Sequence, residues 1–283
     1  MIRGASWAGA RTPAGVAHRL ATVGGNIEWA VRWGKRRHLA VNLAHAVAAT
    51  GTDRVVRRLV RREIVNEAHR SADLLWALGR REEFLATLEL DGIGHARAAA
   101  DVGAGLILLG THLGGWEVAT AVPAATLPVP TNVIVADDWI ARGIEPARRS
   151  AGLRVVHADR GALQAVRVLQ RGEALLLLGD DGRFASRRRF VRFLDAEAEI
   201  AGAVAWLSRS TQAPVVGFSV LPLGPRRWRV IVDPPLVPPA PDDQAGEHRL
   251  LQDIADRWSE VIRQNPEHWA ASFPIRWRTR EPR

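Results

Sequence analysis

His112 and Glu117 stand five residues apart in the stretch 104–118, AGLILLGTHLGGWEV, with Gly114 and Gly115 between them. Leu106 to Leu109 is a continuous apolar run, which predicts a buried parallel strand. That strand is expected to end at Gly110. It delivers Thr111 and His112 to its carboxyl end, where open α/β sheets place their chemistry. The two glycines turn the chain, Trp116 and Glu117 open a helix, and the imidazole can fold back toward the carboxylate. A general base with an orienting acid is what this pair offers, and it suits acyl transfer onto a hydroxyl.

Spacing alone does not establish the pair. With nine histidines in 283 residues and roughly a tenth of positions acidic, about one His-x4-acid match is expected by chance. Two occur, His112/Glu117 and His248/Asp253. The second lies in a segment that reads as unbroken helix, where residues five apart diverge by about 140°. A histidine at a strand end can also be a packing or capping residue. The glycine turn and the lack of a rival nucleophile favour the catalytic reading. There is no cysteine, and Gly217-Phe218-Ser219 fails the Gly-x-Ser-x-Gly elbow at its last position. His-Glu-x-x-His and a phosphate-binding Walker loop are missing too.

A second strand end follows the leucine run 175–178, at Gly179-Asp180-Asp181-Gly182-Arg183. It brings two acids and an arginine to the same face of such a sheet. Arg187-Arg188-Arg189 could neutralise substrate phosphates or be plain surface. The paired acids 137–138 and 180–181 could hold a divalent ion. Adjacent acids are more commonly solvated turn residues, and no metal is expected.

The elements that must position these residues change character along the chain. Residues 1–81 carry 15 basic against 5 acidic residues, and the rest carries 24 against 25, so the net charge of +9 belongs to the amino-terminal segment. Val16, Leu20, Val23, Ile27 and Val31 predict an amphipathic helix weakened by Gly24-Gly25. Lys35 to His38 reads as basic punctuation before a second helix, 39–49. A third helix, 53–78, opens on Arg54, Arg57, Arg58, Arg61 and Arg62, charges that oppose its dipole. After residues 92–94 strands and helices alternate. Strands are predicted at 105–110, 131–136, 153–157, 174–179, 214–221 and 228–233. Helices are predicted at 116–126, 138–150, 160–171, 200–211 and 247–264. The expected fold is α/β, a mostly parallel central sheet flanked by helices. It divides into a basic helical segment, 1–81, for membrane association and a core, 82–283.

Taken in order, these blocks resemble the bacterial lysophospholipid acyltransferase superfamily. They are most similar to the branch of lipid A late acyltransferases and phosphatidylinositol mannoside acyltransferases. Thr111 to Glu117 looks like that branch's Thr-His-x-Gly-Asn-Trp-Glu, with Gly115 where asparagine is usual. Asp159-Arg160-Gly161 through Gly172-Glu173 resembles its second block. Gly179 to Gly182 is similar to its acidic-glycine block, one residue shorter. Ala213-Pro214-Val215-Val216 matches its proline-led strand. Residues 265–269 and 276–280 resemble its carboxyl end, so the likeness spans roughly 36–280.

The resemblance implies an O-acyltransferase that needs no cofactor beyond its co-substrate, an acyl thioester of coenzyme A or acyl carrier protein. His112 would be the base and Glu117 the group that fixes its tautomer. The backbone of Gly114, Gly115 and Trp116 would hold the oxyanion. Arg160, Arg183, Asp180 and Asp181 would bind substrate. Expected partners are the thioester donor, a glycolipid or phospholipid acceptor and an anionic membrane surface, reached through the basic helices with Trp29 and Trp33. The sequence offers no span of about 18 uncharged apolar residues and no signal peptide. The expectation is a peripheral protein on the cytoplasmic face of the membrane. Nucleic acid is not expected, since no recognised binding motif accompanies the basic helices. Two rivals use those same helices: a nucleic-acid-binding protein and a non-catalytic lipid-binding protein.

Overall fold

The computed structural model describes residues 2–135, 139–157, 161–181 and 187–278. The chain opens on helices α1 (Ile2–Arg11), α2 (Ala14–Val31), α3 (Trp33–Ala46), α4 (Arg54–Gly79) and the short α5 (Arg81–Ala86). The α/β part runs β1 (Leu88–Asp91), α6 (Ile93–Asp101), β2 (Leu106–Gly114), α7 (Trp116–Ala119), α8 (Ala121–Thr126), β3 (Thr131–Val135), α9 (Trp139–Ser150), β4 (Arg154–His157), α10 (Gly161–Gln170) and β5 (Ala174–Leu178). It finishes with β6 (Arg188–Phe193), β7 (Ala196–Ala201), α11 (Ala203–Thr211), β8 (Val215–Gly224), β9 (Arg227–Val232), α12 (Gln244–Gln264), a 3₁₀ turn (Pro266–His268) and β10 (Trp277–Arg278).

Seven strands form the main sheet in the order β1-β9-β8-β2-β5-β3-β4. Every neighbouring pair is parallel except β8 with β9, so only the β9–β1 edge runs backwards. The mostly parallel sheet flanked by helices is the architecture expected. Its inner strands are apolar on both faces because helices cover both. Ile107, Leu109, Leu175 and Val215 pack with α3, α4, α10, α11 and α12 on one side. Leu106, Leu108, Leu176, Val216 and Val230 pack beneath α6 and α8 on the other.

Several elements differ from expectation. The basic run at Lys35 lies inside α3 rather than between helices. Lys35 Nζ is held by Glu28 at 2.9 Å and Glu67 at 2.7 Å, and lysine and arginine are good helix formers once neutralised. Gly25 does not weaken α2: it lets α2 close on α4, where an added Cβ would stand 2.8 Å from Val65 Cα. The structure adds α1, β1 and α6. It also adds the three-stranded sheet β10-β7-β6, whose alternating Ala-Glu-Ala-Glu-Ile strand has the period-2 pattern of a half-buried strand. Arg188 and Arg189 lie on β6, with Arg188 3.7 Å from Glu199 and the neighbouring Arg187 stacked on Trp206.

Candidate active site

The candidate site lies where β2 leaves regular pairing. Strand β2 does not end at Gly110 but continues to Gly114 through a bulge. Gly110 opposes Phe218 and Gly114 opposes Val220, so three residues of β2 face one of β8. A bulge of this kind re-aims a side chain out of the ladder. The carboxyl-terminal segment fixes it from outside, since Ala270 N–H donates to His112 O at 2.8 Å and Leu113 bridges Trp269. Gly114 closes the bulge with φ +60°, where an added Cβ would stand 1.6 Å from Val220 O. Only glycine fits that backbone.

The bulge aims His112 at Asp180, one strand over at the end of β5. Nδ1 lies 2.7 Å from Asp180 Oδ1, and the backbone N–H of His112 donates to Oδ2 at 3.0 Å. Trp269 Nε1–H gives Oδ2 a further bond at 2.9 Å. Asp180 is fully buried, and burial alone would raise its carboxyl. The His112 charge and these three donors overcome that and hold it below the ordinary carboxylate range. An ionised Asp180 can only accept, so Nδ1 carries the proton and Nε2 is the basic nitrogen. Burial also opposes protonation of His112. Asp180, then Asp181 and Glu117, outweigh it and raise the imidazole above its usual 6.5. The rings of Trp116 and Phe273 flank the imidazole at 5.0 and 5.1 Å.

Glu117 does not occupy the place expected of it. Both of its oxygens bond Arg148 Nη2, at 2.8 and 2.9 Å. The turn carries Glu117 onto α7, facing α9, so it reaches His112 only through its field. Asp180, expected to bind substrate, is buried and bonds the imidazole. The expected oxyanion donors are reduced as well, because Gly115 N–H is spent on Val220 O at 3.1 Å. Trp116, at the first position of α7, keeps an N–H with no intrahelical acceptor. Asp181 is half-buried beside the site and adds negative potential to His112. Arg160 and Arg183 lie outside the described residues, as do Asp137 and Asp138. His248 and Asp253 sit on the unbroken α12.

Three residues escaped the sequence reading: Arg148, Trp269 and Trp228. Trp269 stands in a recognised block, which was the available signal for it. Trp228 explains Gly115. A Cβ there would meet the indole ring at 2.7 Å, so Trp228 fills the room a side chain at 115 would need. Gly115→Asn is therefore expected to destabilise the fold by about 1–3 kcal/mol through overpacking. Trp228→Leu should recover part of that loss in the double variant, as read by denaturant unfolding. Additive losses would mean that the two positions do not compete for space.

A histidine whose tautomer is set by a buried carboxylate, at a central strand's carboxyl end in an α/β sheet, is the arrangement that base-assisted group transfer requires. The family model of the bacterial lipid A biosynthesis acyltransferases matches residues 4–279. The chain belongs to that family and is an acyltransferase, with a lipid acceptor and an acyl donor implied. No curated protein matches it.

Proposed function

We propose that the protein moves a fatty acyl chain from a thioester of coenzyme A or acyl carrier protein to a hydroxyl of a membrane glycolipid or phospholipid. The reading rests on the bond between His112 Nδ1 and Asp180. It leaves Nε2 to take the acceptor hydroxyl's proton as the oxygen attacks the thioester carbonyl. The C–S bond then breaks, and the proton passes from Nε2 to the departing thiolate. Asp180 keeps the tautomer and offsets the imidazolium, and Trp269 holds Asp180 in place. Glu117, paired with Arg148, supports the imidazolium from one layer further out.

Attachment to an anionic membrane surface, on its cytoplasmic face, is part of this proposal. Among the described residues no helix is long and apolar enough to cross a membrane. The apolar residues of α2 point outward: Val16, Leu20, Val23, Ile27 and Val31 are between 46% and 66% exposed. Trp7 and Trp33 are exposed too, and the guanidinium groups of Arg11 and Arg36 sit over their rings at 4.2 Å. Apolar residues flanked by arginines suit the headgroup boundary.

The test incubates the protein with acyl-CoA or acyl carrier protein thioester and acceptor-bearing vesicles, and reads thiol release and acylated lipid together. Thiol release that requires the acceptor and yields an O-acyl lipid is expected. A protein that binds the vesicles without turning over either donor would support the non-catalytic lipid-binding reading. Leu20→Glu with Ile27→Glu should abolish sedimentation with anionic vesicles without lowering the melting temperature. Unchanged sedimentation would exclude α2 as the attachment face.

A further inference from the structure

Residues 270–276 pass the site as irregular backbone between the 3₁₀ turn and β10. This strap carries the Phe273 ring to 5.1 Å from the imidazole, and it continues from Trp269, which bonds Asp180. Irregular backbone packed inside a protein must find donors for its carbonyls. A helix beside it has none to give from its interior, where each N–H is spent within the helix, so a side chain has to supply them. Asn42, on α3 and 1% exposed, does so. Its Nδ2 donates to Ala271 O at 2.8 Å and to Phe273 O at 2.9 Å. Its Oδ1 accepts from Trp277 Nε1–H at 2.9 Å, where the strap enters β10. Carbonyls only accept and an indole N–H only donates, so the amide has one workable orientation.

We propose that Asn42 is a positioning residue for the His112–Asp180 pair, acting through the strap it holds. The proposal rests on the reading of that pair as the base and its partner. Three contacts join the strap and its root to the pair: Trp269 Nε1–H on Asp180, Ala270 N–H on His112 O, and the Phe273 ring beside the imidazole. Asn42 fixes the carbonyls of residues 271 and 273, within and next to those contacts. Ser272 N–H donates to Ala270 O at 2.8 Å, so the strap turns tightly here and a shift of either carbonyl passes to its neighbours.

The other support of the strap is aromatic. Trp277 stacks on Phe193, and Phe193 meets the Trp269 ring edge-on, each pair with centroids 5.8 Å apart. Such contacts bury area without direction, whereas two hydrogen bonds to one amide set the register of the strap. Asparagine is also a poor choice for the interior of a helix, and a buried amide is costly unless its groups are paired. The strap, not α3, accounts for an asparagine at this position. Asn42 lies in the helical segment 1–81, expected to serve membrane association, and gives that segment a part in the geometry of the site.

The test compares Asn42→Ala with Val56→Ala, a cavity-forming change on α4 that breaks no hydrogen bond to the strap. Both are read in full-length protein well below their melting temperatures. Labelling with ¹⁵N-histidine shows the His112 Nδ1–H resonance, assigned by its loss in His112→Ala. Asn42→Ala is expected to move or broaden that resonance and to lower kcat about 10- to 100-fold, with KM within about twofold of wild type. Val56→Ala should do neither. If Asn42→Ala does not fold, Asn42→Ser, whose hydroxyl keeps one donor, answers by the same two readings. A folded variant with the wild-type resonance and kcat would overturn the proposal and leave Asn42 a structural tie. So would a loss confined to KM, or equal losses in Val56→Ala. A moved resonance in a protein whose wild type turns over no thioester would support the positioning role and remove acyl transfer as the reaction.

Discussion

His112→Ala is expected to lower acyl transfer by at least about a thousandfold, within the range that a positioned base supplies. The loss should fall on kcat, because the imidazole acts on the proton that moves in the transition state. The variant is also expected to be less stable. It removes one of three donors from the fully buried Asp180 carboxylate, at a cost of about 1–3 kcal/mol. His112→Asn separates the two effects. Its amide nitrogen can stand near the place of Nδ1 and donate to Asp180, so the melting temperature should recover while turnover does not. Turnover near the wild-type rate in either variant would refute His112 as the base.

Asp180→Asn should be the second most damaging change, and more damaging than Glu117→Gln. The carboxylate accepts from three N–H groups of His112 and Trp269. An amide there must point its own N–H at one of them. The imidazole then loses its imposed tautomer, and a fall in kcat of about 10²–10⁴ follows. The pH profile gives the sign. Asp180 raises the His112 pKa above 6.5 against the pull of burial, and the base works when neutral. Wild-type kcat/KM should therefore rise with pH through an inflection above 6.5. In Asp180→Asn the residual activity should inflect at lower pH, because the charge favouring the imidazolium is gone. Glu117→Gln should act differently. It strips a partner from Arg148, 8% exposed, whose Nε and Nη1 already lack one. The melting temperature should fall while the inflection stays within a few tenths of a unit of wild type. A larger shift of the inflection in Glu117→Gln than in Asp180→Asn would reverse the assignment of partner.

Much of this was legible in local pattern. Leu106–Leu109 and the leucines of β5 are unbroken apolar runs, and such runs are stable only as strands covered on both faces. Such strands end at glycine with polar residues beyond, so His112 and Asp180 were visible as strand-end residues with proton chemistry. The β6–β7 hairpin was missed because its arginines obscured the alternation of Val191 and Phe193, both buried, with exposed neighbours. The strand end at Gly110 was misplaced because a bulge is set by the partner strand, and β8 lies more than a hundred residues downstream.

The residue types of the site, and their arrival at one edge of a mostly parallel sheet, were thus determined by the sequence itself through period and turn chemistry. Which carboxylate serves the histidine was decided only by the tertiary structure. Glu117 is five residues away, but the turn puts it on α7, where the buried Arg148 of α9 takes both its oxygens. Asp180 is 68 residues away, yet β5 pairs directly with β2 and brings its end beside the bulge. Neighbourhood in a sheet follows strand order, not chain distance. A buried carboxylate also stays where the most donors meet it, and here those donors come from β2 and from Trp269 near the end of the chain.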